Sequence, residues 1–173
     1  KNYGIKFIIK GNNDFSGLAD VITIQGKESA GAPAGVSSEF TTLEQFNNKK
    51  HDLAIVSGGI HSPEQVNYYM SNGAAAVSIG TLFAACLESK LSLESKNKLI
   101  SSSSSDLRRI GSLKKQALVW NMDSTDKRNF TDRLSKGILN PEDGIIYCGT
   151  SVDYINSIEP ISVIVDRLTK MIP

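Results

Sequence analysis

Two short stretches of this chain carry residue types suited to holding an anion. Ser57-Gly58-Gly59-Ile60 follows the apolar run Ile55-Val56, and Ser78-Ile79-Gly80-Thr81 follows Ala75-Ala76-Val77. Residues without side chains at the C-terminal ends of parallel strands leave backbone N–H groups bare, and ligands of α/β folds bind there. A dianionic phosphate is matched by such donors plus a hydroxyl at a helix start, which Gly58, Gly59, Gly80 and Thr81 could supply together. The plainer reading is that these glycines only make tight strand-to-helix turns, which either pair alone would satisfy. Two pairs in consecutive units favour a shared cradle. Other candidates read more simply as structural. His51 and His61 are loop histidines that could act as bases but are expected to be surface residues. Glu28 is expected to hold a hydrogen bond rather than to move a proton. Asp106, Arg108 and the mixed charges through Arg133 read as a solvated face.

The elements that must position these glycines are legible around them. Ser62-Pro63-Glu64-Gln65 gives an N-cap, a proline at the first helical position and a capping-box Gln, so a helix starts there and stops at Gly73. Val66, Tyr69 and Met70 fall on one face of it, with Glu64, Asn67 and Ser71 on the other. The flanking runs from Asp52 to Ser57 and from Ala74 to Ile79 lack strict alternation, which suits parallel strands buried on both faces.

The same reading extends along the chain. Ile5 to Ile9 and Ala19 to Gln25 read as strands, with a turn at Gly11 to Asp14 and a glycine-rich loop from Lys27 to Val36. Thr41 or Thr42 to Asn48 forms a short helix with Leu43 and Phe46 inward. Leu82 to Cys86 is an apolar turn or short helix. Leu91, Leu93, Leu99 and Ile100 mark a helical stretch whose wet side carries Lys90, Glu94, Lys96 and Lys98, before the serine run Ser101 to Ser105. Ala117 to Trp120 is an extra strand, Ser124 to Leu134 a polar helix, Lys136 to Gly144 a loop, Gly144 to Gly149 a strand, and Val152 to Ile158 a short helix. Ile161, Ile164, Val165 and Leu168 recur at helical spacing in a closing helix. Strand alternating with helix about four times implies an α/β chain with a parallel sheet and helices outside. One domain spanning residues 1–173 is expected.

Composition narrows the function classes. A chain of 173 residues, 40% hydrophobic, 21% charged and with net charge +1 is an ordinary globular composition. It lacks the basic runs that would point to nucleic acid, and it has no apolar stretch approaching the ~18 residues of a membrane span. Cys86 and Cys148 lack metal-ligand spacing, so no metal site is read, and buried free thiols suit a reducing, cytoplasmic setting.

Taken together, Ala19 to Glu28, Ser57 to Ile60, Ser78 to Ala84 and Gly149 to Pro160 resemble the nitronate monooxygenase family, formerly the 2-nitropropane dioxygenases, in sequence and order. The resemblance is weakest from about Leu87 to Asp143. It implies an FMN-dependent TIM barrel that oxidises alkyl nitronates with O2. Gln25 would then lie beside the flavin, Gly31 near the cofactor, Gly58 and Gly59 at its phosphate, and Ser78, Ile79, Gly80 and Thr81 on the phosphate's other side. Tyr68, Tyr69 and Tyr147 are expected to be core or helix-face residues rather than flavin stackers.

Two departures from the family pattern shape the expectation. The family loop Gln-Gly-x-Glu-Ala-Gly-Gly-His ends in a catalytic base, whereas Gln25-Gly26-Lys27-Glu28-Ser29-Ala30-Gly31-Ala32 ends in Ala32, and Ala30 replaces a glycine. Alanine cannot accept a proton, so a neutral nitroalkane lacks its base, while an already ionised nitronate needs none. The second departure is length: a TIM barrel typically needs about 250 residues. The family's first strands should therefore precede Lys1, which makes this chain an incomplete barrel corresponding to the C-terminal half. Unpaired sheet edges would then call for that N-terminal half or a second copy as partner. The alternatives are a flavin-dependent NAD(P)H enoyl reductase of the same barrel type, and a half-barrel fragment without catalysis.

Overall fold

The structure, a computed structural model, describes residues 6–10, 19–31, 40–49, 52–110, 115–119 and 144–172. Ala32, His51, Trp120, the Gly11 to Asp14 turn, the Ser124 to Leu134 helix and most of the Lys136 to Gly144 loop lie outside the described residues. Strands β1 (Ile8–Lys10), β2 (Val21–Gln25), β3 (Ala54–Ser57) and β4 (Ala76–Ser78) form one sheet in sequence order, every neighbouring pair parallel. Helix α1 (Thr42–Asn47) joins β2 to β3, and α2 (Pro63–Ser71) joins β3 to β4. Two consecutive βαβ units thus lie side by side.

Local signals set both helices. Ser62 caps α2, with its side chain accepting from the Gln65 N–H and Gln65 closing the capping box; Pro63 occupies the first turn, and Gly73 follows at φ 89°. Thr41 and Glu44 make the same reciprocal box for α1. Ile22 and Ile24 of β2, Ala54 and Val56 of β3, Phe46 of α1, and Val66 and Tyr69 of α2 meet in one buried cluster. Phe46 and Tyr69 pack edge to face, with ring centroids 5.1 Å apart.

The helix-covered face is dry, but the opposite face of β3 and most of β2 is half-buried, and β4 is half-buried or exposed throughout. This corrects the expectation of strands buried on both faces. The inner face of a four-stranded arc has no opposite wall within the sheet itself, so alternate residues stay half open.

Helix α3 (Thr81–Ala84) is a single turn, followed by α4 (Leu93–Ile100). Here too the structure departs from expectation. Lys96, placed on the wet side by periodicity, is buried, with its Nζ donating to the Leu87 carbonyl at 3.0 Å, whereas Leu93 stands exposed. Leu43 of α1 is likewise exposed rather than inward. In the closing helix α5 (Ile161–Thr169), Ile164 and Leu168 are buried in the core, while Ile161 and Val165 remain largely exposed. An i, i+4 pair suffices to seat α5, which packs on α2.

The larger correction concerns the later strands. β5 (Leu107–Ile110), β6 (Lys115–Val119) and β7 (Ile145–Tyr147) form a second sheet that is antiparallel throughout. The parallel, helix-flanked pattern does not extend into it. Only residues 111–114 separate β5 from β6, too few for the crossover a parallel pair requires.

Candidate functional site

Strand register brings the predicted residues to one rim. Gln25 pairs with Ser57, and Ser57 with Ser78. Side chains of paired residues in parallel strands point to the same face, so these three polar groups form a row across β2, β3 and β4. They occupy the C-terminal ends of the strands, on the face opposite the Ile22, Ile24 and Val56 core. Sequence reasoning missed Ser57 as a member; its signal was the strand spacing that aligns it with Gln25. Within this row Gln25 is buried, and its Oε1 has no hydrogen-bond partner. A buried acceptor left unpaired costs about 1–3 kcal/mol, so the site is chemically incomplete without a donor.

Both glycine turns leave this same rim, directly after Ser57 and two residues after Ser78, but their glycines answer to different needs. Gly58 and Gly59 have φ of 112° and 72°, a region costly to L side chains. A Cβ on Gly58 would also collide with the Ser29 hydroxyl. Protein packing therefore explains this pair by itself. Gly80 has φ −116°, and a Cβ there would meet nothing within 4 Å. Neither backbone nor neighbours require glycine at that position. Among the described residues, no acceptor takes the Gly59 or Gly80 N–H. The Thr81 hydroxyl, by contrast, is engaged within the protein, accepting the Gly149 N–H at 3.0 Å.

The loop that follows Gln25 is clamped from several sides. Glu28 Oε2 accepts from the Thr42 N–H at 2.8 Å, which gives Glu28 the structural role expected of it. The Thr42 hydroxyl lies 3.0 Å from both Glu28 Oε2 and the Gly58 carbonyl, and its one proton serves one of them at a time. Thr150 N–H donates to the Glu28 carbonyl, and Arg109 Nη2 to the Lys27 carbonyl. Gly31, with φ 68°, exchanges both backbone hydrogen bonds with Gln116 of β6 at 2.9 Å. The antiparallel sheet thus buttresses the loop leading to residue 32. That contact comes from the segment in which the family resemblance is weakest.

His61 follows the second glycine, and its Nδ1 lies 2.7 Å from the Gly59 carbonyl. A carbonyl only accepts, so Nδ1 carries a proton directed at it. The ring stacks on Tyr154 at 3.4 Å between centroids. Tyr69 belongs to the core, as expected, and burial together with the Glu28 carboxylate pushes its hydroxyl up to about 12. Tyr68 stands exposed on the helix face. Cys86 and Cys148 are free and buried; burial, helped by Asp153, pushes the Cys148 thiol up to about 12, so Cys148 is not placed as a nucleophile. No metal-ligating cluster occurs among the described residues, and no helix among them is long and apolar enough to cross a membrane.

Solved structures share this architecture. FabK from Thermotoga maritima aligns with a TM-score of 0.77 and 21% identity over 94% of this chain and 58% of its own. A nitroalkane oxidase from Streptomyces ansochromogenes aligns at 0.74 and 18%, over 96% of this chain and 57% of its own. These likenesses establish the fold as part of a (β/α) TIM barrel, and the chain spans under three fifths of either structure. A search of curated protein sequences returned no match. The nitronate monooxygenase family model matches residues 7–113, more than half of the chain and inclusive of Gln25, Gly31 and both glycine turns. On that match, the chain belongs to the nitronate monooxygenase family.

Proposed function

We propose that this chain forms the cofactor-holding part of an FMN-dependent oxidoreductase that acts on alkyl nitronates with O2. The observation that carries the reading is Gly80, a glycine that the protein's own packing does not need, on the rim where the orphaned Gln25 Oε1 ends its strand. The residues present fit the group. Bare N–H groups of Gly59 and Gly80 are suited to phosphate oxygens, Ser78 offers an exposed hydroxyl beside them, and Gln25 offers an acceptor for a ring N–H. Thr81 contributes by fixing Gly149 behind the turn, and Ile79 by carrying the chain from Ser78 to Gly80. Gly31 sets the course of the loop beside the ring. When bound, FMN takes electrons from the nitronate and passes them to O2.

Ala32 provides no base, so substrate that arrives already ionised is favoured over a neutral nitroalkane. Residues 1–173 act as one domain of the barrel in this reading, in the cytoplasm, where both thiols stay reduced. The outer strands β1 and β4 pair with the remaining barrel strands or with a second copy.

The test is a visible spectrum of purified protein incubated with FMN and then desalted. A yellow protein that bleaches anaerobically with propyl-2-nitronate supports the proposal. Bleaching with NADPH or NADH alone would replace it with the enoyl reductase reading. A protein that stays colourless would leave a half-barrel without catalysis.

A further inference from the structure

A cavity lies beside the rim, on the helix side of the sheet. This cleft of 590 Å³ opens between the first turn of α1, the Gly58 to His61 turn, α2 and the 3-10 turn Thr150–Tyr154. Its volume falls in the range of small-molecule sites. Gln25, Ser78, Gly80 and Thr81 are not among the residues around it, whereas Gly58 and Gly59 are, so it adjoins the proposed phosphate cradle through that turn.

The character of its walls decides what it can hold. Glu28, Glu64 and Asp153 line it, and no lysine or arginine does so among the described residues. The donors at the starts of α1 and α2 that might have drawn an anion are already occupied, and the bare Gly59 N–H belongs to the cradle. Glu28 Oε2 takes the Thr42 N–H, and Glu44 Oε2 takes the Thr41 N–H at 2.7 Å, so the positive end of α1 is filled by the protein's own carboxylates. At α2, Gln65 Oε1 takes the His61 N–H at 2.8 Å, and the Ser62 hydroxyl takes the Gln65 N–H. Glu64 is held ionised, its carboxyl lowered by the Ser62 side chain first and its own backbone next.

The remaining surface is aromatic. Tyr68 and Tyr154 present rings that are 42% and 53% exposed, and Tyr154 is held in place by the stacked His61. Ring faces attract cations, and they do so more strongly where carboxylates stand near. Glu28 also projects its charge across the cleft, since it is the second cause, after burial, of the raised Tyr69 hydroxyl.

We propose that this cleft binds a small organic cation, an ammonium group on a short apolar or aromatic body, with Glu64 and Asp153 facing the charge and Tyr68 and Tyr154 the body. It shares the Gly58 to Gly59 turn with the FMN cradle and does not depend on the identity of the substrate oxidised there.

Phenethylammonium, phenylethanol and phenylacetate share one body and differ in charge, which makes them the probes of choice. Ligand-observed NMR with the full chain at about 0.15 M salt should show saturable binding of phenethylammonium. Phenylethanol should bind roughly tenfold more weakly and phenylacetate not at all. Glu64→Gln and Tyr154→Leu should each weaken the amine several-fold; both residues are exposed, so these changes spare the core. Equal binding of the three probes, no binding of the amine, or insensitivity to Glu64→Gln would each overturn the proposal. A failure confined to this assay leaves flavin retention as a separate measurement.

Discussion

At Gly80 the absence of a side chain has no explanation inside the protein, and that makes it the sharpest residue to change. A Cβ there meets nothing within 4 Å and the backbone is not left-handed. Gly80→Val should therefore leave the melting temperature within about 2 °C of the parent while abolishing FMN retention, as read by absorbance after desalting. If Gly80→Val retained flavin at the parent's level, the phosphate would lie elsewhere. Gly58→Ala should behave in the opposite way. Its φ of 112° and the collision with Ser29 should cost about 1–3 kcal/mol of stability, measured by urea denaturation with or without cofactor. The contrast between two neighbouring turns separates a glycine the fold needs from a glycine a ligand would need.

At the scale of elements, α1 and α2 hold the strand ends in place by what they bury. Among the described residues Phe46 is the largest fully buried side chain, wedged against Tyr69, whereas Leu43 on the same short helix stands 43% exposed. Phe46→Ala should cost about 3–5 kcal/mol. Leu43→Ala should stay within about 0.5 kcal/mol, as is usual for surface changes. Comparable losses from the two substitutions, in urea midpoints at constant slope, would mean that α1 sits differently. The antiparallel sheet works as a brace as well as lending Leu118 and Ile146 to the core. Its β6 holds Gly31 through a reciprocal backbone pair, and Arg109 of β5 reaches the Lys27 carbonyl, so the loop after Gln25 is fixed by strands far along the chain.

Among the described residues, two buried protonated groups tie the stability of the whole molecule to alkaline pH. The Cys148 thiol is raised from 9.0 to about 12, and the Tyr69 hydroxyl from 10.0 to about 12, burial being the first cause for both. Between those limits the native state keeps protons that the unfolded chain has released, so stability falls as pH rises from about 9 toward 12. Urea midpoints should drop over that window, and Cys148→Ala should flatten part of the drop. A midpoint unchanged across the window would show that these groups are not shielded from water. The open sheet makes a second prediction. β1 and β4 are its outer strands, and Phe7 and Ile8 at the β1 side are 55% and 63% exposed. The chain alone should elute from a sizing column above its 18.7 kDa mass, and a clean monomer would argue that those edges are blunted.

The sequence by itself determined what is local or periodic. Ser62, Pro63 and Gln65 specified the start of α2, the β-branched run specified β2, and four short motifs in order, the two glycine turns among them, were enough to recognise the family. All of these depend on residues within a few positions of one another, where capping, turn geometry and strand propensity act. Tertiary structure decided the rest. Lys96 is buried because the Leu87 carbonyl waits for its ammonium group, which no helical periodicity reveals. The antiparallel sheet could not be read either, because its pairing with the Gln25 loop joins Gln116 to Glu28 across 88 positions and Arg109 to Lys27 across 82. The polar row of Gln25, Ser57 and Ser78 exists only once three strands settle into register, and the aromatic, acidic cleft only once both helices and the final turn converge. Contacts of that range depend on chain packing in three dimensions, which leaves no periodic trace in a single sequence.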